Sequence, residues 1–396
     1  MRITTAHSYA TAVDNLQQRQ QELQRAQTQL TSGKRVARAS DDPTAAARVE
    51  RALATHSRAL ANQRGMEASR NAMQQAEGAL GNATEAMQQV RELLVAAGNA
   101  TYSDAERANF GARIAGLREQ LLAIANRGDG AGGYLFGGQG SAQPPFVDGT
   151  PSVTFAGVAG VTTVQAGELL PMTQDGAAAW LNARSGNGVF ATAADPGNGN
   201  GAWIDAGSVT DPTQLTYGNY RIEFGVSAGA TTYSVWTNGA PGPQQPYVAG
   251  QAIEFDGMAV TVKGTPSAGD AFDVTPAAPN LSLFDVLDRV ASELHTGGRS
   301  TAQVAQTVAS GLRDVDQVLG NLQMQRSLAG ESLNHIDSVE GRLSEIQLEA
   351  KTQRSLAEDL DMVQALSDFQ AKQTGYEAAL STYSLVQRMS LFQYLK

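Results

Sequence analysis

Four histidines, His7, His56, His295 and His335, are the side chains best suited to proton transfer or metal binding in this chain. None has a close histidine or cysteine neighbour in sequence, and such chemistry needs partners at fixed spacing. His335 with Asp337 comes nearest to a ligand pair and reads as a solvated helix face. Residues Gly128 to Gly133 match the letters of a dinucleotide-binding G-x-G-x-x-G loop. That loop must follow a strand, and this one follows a helical pattern. Asp195 to Gly201 has the composition of a calcium loop, but the ligand phase is off by one and no bidentate glutamate closes it. Asp41-Asp42 could be a pair of acids; adjacent carboxylates at a helix start act as capping and dipole partners. No Ser/His/Asp spacing, P-loop or G-x-S-x-G elbow occurs. The chain has no cysteine, which excludes disulfides, Cys-ligated zinc and thiol catalysis. These residues predict no catalytic site, no metal and no cofactor, hence a protein that is not an enzyme.

The elements around these residues explain the silence. With 396 residues the chain can form two or three domains. Its 42% hydrophobic and 17% charged residues give an ordinary globular composition, so disorder is excluded. A net charge of -10 argues against nucleic acid as a general partner. No apolar run approaches the roughly 20 residues of a membrane span. The start, Met1-Arg2-Ile3-Thr4-Thr5, leads into a polar, Gln-rich stretch without the apolar core of a secretory signal. Taken alone, that points to the cytoplasm.

Glycine and proline divide the chain into three zones. Residues 128–279 hold 27 of 41 glycines, 12 of 13 prolines and all three tryptophans, so two breaker-poor arms enclose a breaker-rich insert. The insert has 12 acidic residues against three basic ones, a net of -9. The N-terminal arm is net +4 and the C-terminal arm net -5, a modest, salt-screened bias toward pairing of the arms.

Apolar spacing in the arms alternates three and four, the pattern of packed helices. One seam runs Val13, Leu16, Gln20, Leu23, Gln27, Leu30; a second runs Met73, Ala76, Leu80, Ala83, Met87, Val90, Leu94. A third runs Phe110, Ile114, Leu117, Leu121, Ile124. In the C-terminal arm Leu312, Val315, Leu319, Leu322, Arg326, Ala329, Leu333, Ile336 form one more. The last uses Leu360, Val363, Leu366, Phe369, Gln373, Tyr376, Leu380, Tyr383. The polar members, Gln20, Gln27, Arg326 and Gln373, read either as local exposure or as devices fixing register in a multi-helix assembly. Punctuation agrees: Gly33 ends a helix, Asp42-Pro43 starts one, and Ser103-Asp104-Ala105-Glu106 is a capping box. Gly297-Gly298 separates a short helix, about 282–295, from a long one.

From Tyr134 the apolar period falls to two. Tyr220, Ile222, Phe224 and Val226 alternate, as do Met258, Val260 and Val262. Phe255-Asp256-Gly257-Met258 and Trp236-Thr237-Asn238-Gly239 are hairpin signals, and residues 195–201 read as an exposed loop. The insert is therefore predicted to be one antiparallel β domain.

The motifs resemble those of the bacterial flagellin family. Leu30-Thr31-Ser32-Gly33-Lys34-Arg35 followed by Ala39-Ser40-Asp41-Asp42-Pro43 is similar to that family's N-terminal signature. Tyr134-Leu135-Phe136-Gly137-Gly138 is similar to its exit into an outer domain, and Gly264 to Phe272 resembles a segment of hook-associated members. Filament flagellins usually carry a Leu-Ser-Ser-Gly-Leu-Arg form and an Asn-Leu-Leu-Ala-Gln-Ala-Asn type of ending. This chain has Thr31 and Lys34 in the first and lacks the second. Its Ser390-Leu391-Phe392-Gln393-Tyr394-Leu395 ending, with Asp359-Leu360-Asp361 and Ala378-Ala379-Leu380, resembles the hook–filament junction members instead.

The resemblance implies an α+β fold: a long antiparallel α-helical coiled-coil bundle built from both termini, with an inserted antiparallel β-rich outer domain. The expected division is 1–40 with 355–396 as an inner terminal helical domain, 41–133 with 281–354 as a helical bundle, and 134–280 as the outer domain. It also implies a structural, non-enzymatic role in the flagellum, export without a cleaved signal through the type III apparatus, and hence an extracellular location. Implied partners are the first hook-associated protein, flagellin, further copies of the chain in a ring, and an export chaperone at the C-terminal helix. Rival readings are a flagellin forming the filament itself and an extracellular β-domain adhesin with a helical stalk. The seams point to Leu16, Leu23, Leu30, Leu380, Tyr383 and Phe392 as a self-assembly interface.

Overall fold

Apolar spacing of three and four carries the arms into long helices. The computed structural model describes residues 5–394 except Ala142 and Asn200. Its helices are α1 (Thr5–Ser32), α2 (Pro43–Ala97), α3 (Asp104–Ala125), α4 (Gly176–Trp180), α5 (Leu283–His295), α6 (Thr301–Glu358) and α7 (Met362–Tyr394). The chain falls into two compact units, one drawn from both arms up to Arg64 and from Val339, the other spanning Gly65–Ser338.

In the central unit, α2 buries Met73, Ala76, Leu80, Ala83, Met87, Val90 and Leu94 completely, the full predicted seam. Facing residues on α6 are Val315, Leu322, Ala329 and Ile336, all solvent-inaccessible and seven apart. The two helices run antiparallel, since Arg70 pairs with Asp337, Glu77 with Arg326 and Arg91 with Asp316, each at 2.7 Å. Arg326 is thus an exposed seam residue with a carboxylate partner, and such surface pairs contribute little. Both expected helix starts are present. Ser103 and Glu106 exchange hydrogen bonds in a complete capping box, and Ser282 caps α5 through the Asp285 N–H.

Helix α3 is rotated from its predicted seam. It buries Gly111, Ile114, Arg118, Leu121 and Ala125, while Phe110, Leu117 and Ile124 lie half-buried on the flank. A Cβ at Gly111 would stand 2.9 Å from the Ala291 carbonyl of α5, so glycine sets how closely these helices approach. Arg118 fits the buried stripe because two carboxylates meet it, Asp148 at 2.6 Å and Asp288 of α5 at 2.7 Å. Hydrogen bonding to Asp148 holds this guanidinium more firmly protonated than usual.

The insert is built in two parts. Residues 134–185 pack Leu135, Phe136, Phe146 and Trp180 into the core of the helices, where Trp180 stacks on Phe284 of α5 with centroids 6.2 Å apart. Large aromatic side chains gain most from joining the larger core, which draws this stretch away from an independent β domain. Only from Phe190 to Pro276 do strands enclose a core of their own, made by Phe190, Ile204, Ile222, Phe224, Val260, Val262, Phe272 and Val274 among others. One sheet orders its strands Ala240–Pro241, Ala230–Thr237, Tyr220–Ser227, Ala271–Pro276 and Phe190–Ala194, with Gln245–Pro246 also paired to 230–237. The other runs Ala252–Phe255, Met258–Gly264 and Ala202–Ile204, with Ser208–Val209 also on 258–264, and all pairings are antiparallel.

Both predicted hairpins form with positive φ at the two turn residues, Asp256 and Gly257 in one, Asn238 and Gly239 in the other. A third turn of this kind, Ala228-Gly229, went unpredicted because alanine seldom takes a left-handed conformation. Tyr220, Ile222 and Phe224 are buried as the alternation requires, while Val226 at the strand end is exposed.

Leu80→Ala is expected to destabilise the central unit by about 3 kcal/mol, because it leaves a cavity in a sealed core. Met324→Ala, on the exposed face of α6, is expected to change stability by less than about 0.5 kcal/mol. Urea unfolding followed by tryptophan fluorescence checks both, since all three tryptophans lie in this unit.

Candidate assembly surface

Several of the residues singled out for chemistry are committed to structural contacts. His335 lies 3.1 Å from Glu168, and its neighbour Asp337 pairs with Arg70. Asp195 accepts from Arg221 and the Gly197 N–H. Residues 195–199 are pinned as well, with Asn198 bonded twice to the Ala271 backbone and the Gly199 N–H donating to Asp270. In the Gly128 to Gly133 segment, the Ala131 and Gly133 N–H groups donate to Asp129 of the same turn, which leaves them unable to cradle a phosphate. Among the described residues no group of three His, Asp or Glu side chains is placed to hold a metal ion.

What the terminal unit does show is apolar surface arranged in stripes. Helices α1 and α7 pair antiparallel, with the Tyr9 and Tyr383 hydroxyls 2.5 Å apart at one end and Lys34 bridged to Asp359 at the other. Leu16, Leu23 and Leu30 lie half-buried on α1 around the buried Ala26. The inward face of α7 carries Ala365, Phe369, Tyr376, Ala379 and Tyr383, all partly covered. The single seam expected on α7 is therefore two stripes. Phe369, Tyr376 and Tyr383 turn inward, while Val363 (84% exposed), Leu366 and Leu380 turn outward. A four-then-three stagger fits two adjacent faces of one helix equally well, and only the partner α1 selects between them. Gln20, Gln27 and Gln373 are exposed. Of the six residues named for assembly, four thus contribute to the α1–α7 contact, Leu380 faces solvent, and the Phe392 side chain lies outside the described residues.

Both hairpin helices break at the same level, and the break is built by the Leu30 to Pro43 signature. Gly33 takes φ +67°, the left-handed conformation that ends α1. The chain then runs antiparallel against the end of α6. The Arg35 N–H donates to the Glu358 carbonyl at 2.7 Å, the Leu360 N–H to the Gly33 carbonyl at 3.0 Å, and the Arg35 guanidinium to the Ala357 carbonyl at 2.9 Å. Lys34 forms an ion pair with the Glu358 carboxylate, which Arg354 also meets at 3.0 Å. Asp41 gathers the Ala37 and Arg38 N–H groups, and Asp42 caps α2 through the Thr44 and Ala45 N–H groups. Asp361 caps α7 in the same way through Val363 and Gln364. Glu358 escaped the sequence reading. Its signal was the acidic run Glu358-Asp359-Leu360-Asp361, which interrupts the apolar spacing and mirrors Lys34-Arg35 in charge.

The Lys34 ammonium, helped by Arg354, holds the Glu358 carboxyl below its ordinary range, with burial opposing. A carboxyl depressed in the folded state stabilises that state above its unfolded pKa, and the contribution is lost as pH falls through the folded pKa. Protection of the Arg35 and Leu360 amides against exchange is therefore expected to fall as pH drops below the usual glutamate range. Glu358→Gln should show weaker protection at neutral pH and a flatter acid limb. An unchanged acid limb in that variant would assign the effect to other carboxylates.

Comparisons with known proteins follow the same division of the chain. The bacterial flagellin N-terminal helical region matches residues 3–141, and the bacterial flagellin C-terminal helical region matches 312–395. The D2-like domain of flagellar hook-associated protein 1 matches residues 193–276, the stretch that forms the two-sheet core. Flagellar hook-associated protein 3 of Escherichia coli K12 is 24% identical over the whole length of both chains. Its counterpart from Salmonella typhimurium LT2 is 31% identical over 150 residues, 38% of this chain and about half, 47%, of that relative. The solved flagellar junction protein FlgL from Legionella pneumophila is 28% identical, with a TM-score of 0.64 over 70% of this chain and 94% of that one. With both helical arms matched and the signature of the paired break carried in the first of them, the chain belongs to the bacterial flagellin family.

Proposed function

We propose that this chain is a structural subunit of the bacterial flagellum, placed at the junction of hook and filament. The observation that carries this reading is the end-to-end likeness to a hook-associated protein, joined by the likeness of residues 193–276 to a hook-associated D2-like domain. In this reading the chain is no enzyme. It is exported through the flagellar type III apparatus and escorted by a chaperone at its C-terminal helix. It then stacks as a ring, with further copies of itself, between the first hook-associated protein and flagellin outside the cell. Residues 1–40 with 355–396 form the inner layer, 41–133 with 281–354 the surrounding bundle, and 134–280 the outward part. Immunogold labelling of purified flagella tests the placement. Label confined to the hook–filament boundary is expected, and label along the whole filament would make the chain a flagellin.

The assembly step follows from the stripes on α1 and α7. A two-helix contact with Gln20, Gln27 and Gln373 exposed buries little, and ordering a backbone costs roughly 1–2 kcal/mol per residue. Neighbouring subunits would supply the missing apolar cover for Leu16, Leu23, Leu30, Leu380, Tyr383 and Phe392, which couples completion of the terminal helices to polymerisation. Amide exchange on the free protein is expected to protect residues 73–124 strongly and residues 5–32 and 360–392 weakly. Equal protection would mean that the terminal helices are complete before assembly. Leu16→Asp or Leu380→Asp should leave thermal unfolding of the monomer unchanged and block junction formation.

A further inference from the structure

In the terminal unit, α2 and α6 leave a groove of about 710 Å³ between them. Its floor is Ala52, Ala350 and Ile346, and its two rims differ in charge: Arg48 and Arg51 on α2, Glu345 and Glu349 on α6. The groove exists because the α2 position that points at α6 is alanine there. Ala45, Ala52 and Ala59 are buried at a spacing of seven and fill little space. The rim charges are uncommitted across it. Among the described residues no carboxylate forms an ion pair with Arg48 or Arg51; Arg51 donates only to the Ala47 carbonyl of its own helix, and the next exposed arginine, Arg58, only to the Ala54 carbonyl. Neither Glu345 nor Glu349 has a cationic partner among the described residues, and Glu349 accepts only from Gln353.

The outer side of the same α6 segment carries a complementary stripe. Glu345, Glu349, Thr352 and Leu356 follow one another at helical spacing of four, three and four, and Leu348 lies three residues after Glu345 on the same side. Leu348 is 67% exposed and Leu356 73% exposed, among the most exposed leucines of the described residues. The groove thus offers an apolar floor with an arginine rim, and the stripe offers leucines set among carboxylates.

Resting on the reading of a self-assembling ring, the geometry points to a second copy of this chain as the occupant of the groove. The α6 stripe of one copy lies in the α2–α6 groove of the next, with Leu348 and Leu356 over Ala52 and Ala350, and Glu345 and Glu349 against Arg48 and Arg51. Leu348 and Leu356 lie outside the groove that Glu345 and Glu349 rim, so the contact is head-to-tail and adds copies in series. It buries apolar surface that water otherwise meets, and it joins opposite charges that steer the approach and fix the register. The charge part weakens with salt, as the screening length falls from about 8 Å at 0.15 M to about 3 Å at 1 M.

Charge reversal in cells lacking the wild-type copy tests this. Arg48→Glu with Arg51→Glu, and separately Glu345→Arg with Glu349→Arg, should each be secreted, yet each alone should fail to occupy the junction and abolish swimming. Produced together they should restore both, because the reversed groove of one accepts the reversed stripe of the other. Loss without restoration would mean that another protein fills the groove, and full assembly of either variant alone would mean that nothing needs to; both overturn the inference. A second measurement keeps the wild-type charges. The chain has no cysteine, so mixing Thr55→Cys with Thr352→Cys in assembled flagella can give only disulfides between copies. The mixed pair should cross-link about tenfold more than either variant alone, given the short Cα separations a disulfide demands. Equal yields overturn the contact. Wild-type label missing from the junction would instead overturn the junction reading itself, a result the mutant comparison does not mimic.

Discussion

One position of a seven-residue repeat governs much of this molecule. Along α2 it is occupied by Ala45, Ala52 and Ala59, then by Met66, Met73, Leu80, Met87 and Leu94, all buried. On α6 the same repeat reads Val315, Leu322, Ala329, Ile336, Leu343, Ala350 and Ala357. Each buried large side chain contributes roughly 1.5–3 kcal/mol, and alanine only a fraction of that. The central unit therefore rests on large side chains, with α3, α5 and the aromatic stretch 134–185 sealing its remaining faces. Apart from Leu343, the terminal unit has alanine at the corresponding place, and it leaves Leu348, Leu356 and Val363 largely to solvent. Its stability must come from fewer and smaller contacts, which makes polar interactions decisive there.

That is where the paired break between helices acts. Lys34 and Arg35 meet the end of α6 through two backbone hydrogen bonds, a guanidinium bond to the Ala357 carbonyl, and the shared Glu358 carboxylate. Each is modest alone, about 1 kcal/mol net for a neutral hydrogen bond and more where a charge takes part. Their value lies in sharing. Glu358 is nearly inaccessible and serves two cations, so losing Lys34 leaves a buried carboxylate with only Arg354. Gly33, Asp42 and Asp361 terminate or start helices at the same level, so α1 and α7 can pair only in the register that the break sets.

Much of this was legible in the residues. Long periodic seams identify helices well, and the α2 seam from Met73 to Leu94 was read residue for residue. Caps at Ser103 and Asp42 and the turns Asp256-Gly257 and Asn238-Gly239 were legible because each is a local interaction with a specific chemistry. Three things were not. Which of two adjacent stripes on α3 or α7 faces inward depends on the neighbour, and Arg118 shows that even a charged residue can take the inner position when Asp148 and Asp288 await it. The split of the insert depends on Phe146 and Trp180 finding Phe284, contacts between residues over 100 positions apart. Glu358 lies more than 300 positions from Lys34, and the acidic run around it signals a cationic partner without saying which one.

The same distinction between local and distant partners applies to the polar side chains suited to chemistry. A catalytic group must keep a free lone pair or proton in a cleft, at some expense in stability. Here the candidate groups have spent that capacity: Asp195 on Arg221 and Gly197, Asp129 on its own turn, Asp41 and Asp42 on backbone N–H groups. The groups left uncommitted are of another kind. Among the described residues they include Arg48, Arg51 and Glu345 on exposed helix faces, near leucines that stay mostly exposed. Unused charge next to unused apolar surface, on rigid helices and without a cleft that encloses a small molecule, is the arrangement that binds another protein surface. What the chain holds in reserve is thus contact area, which suits a subunit whose work begins when it meets its neighbours.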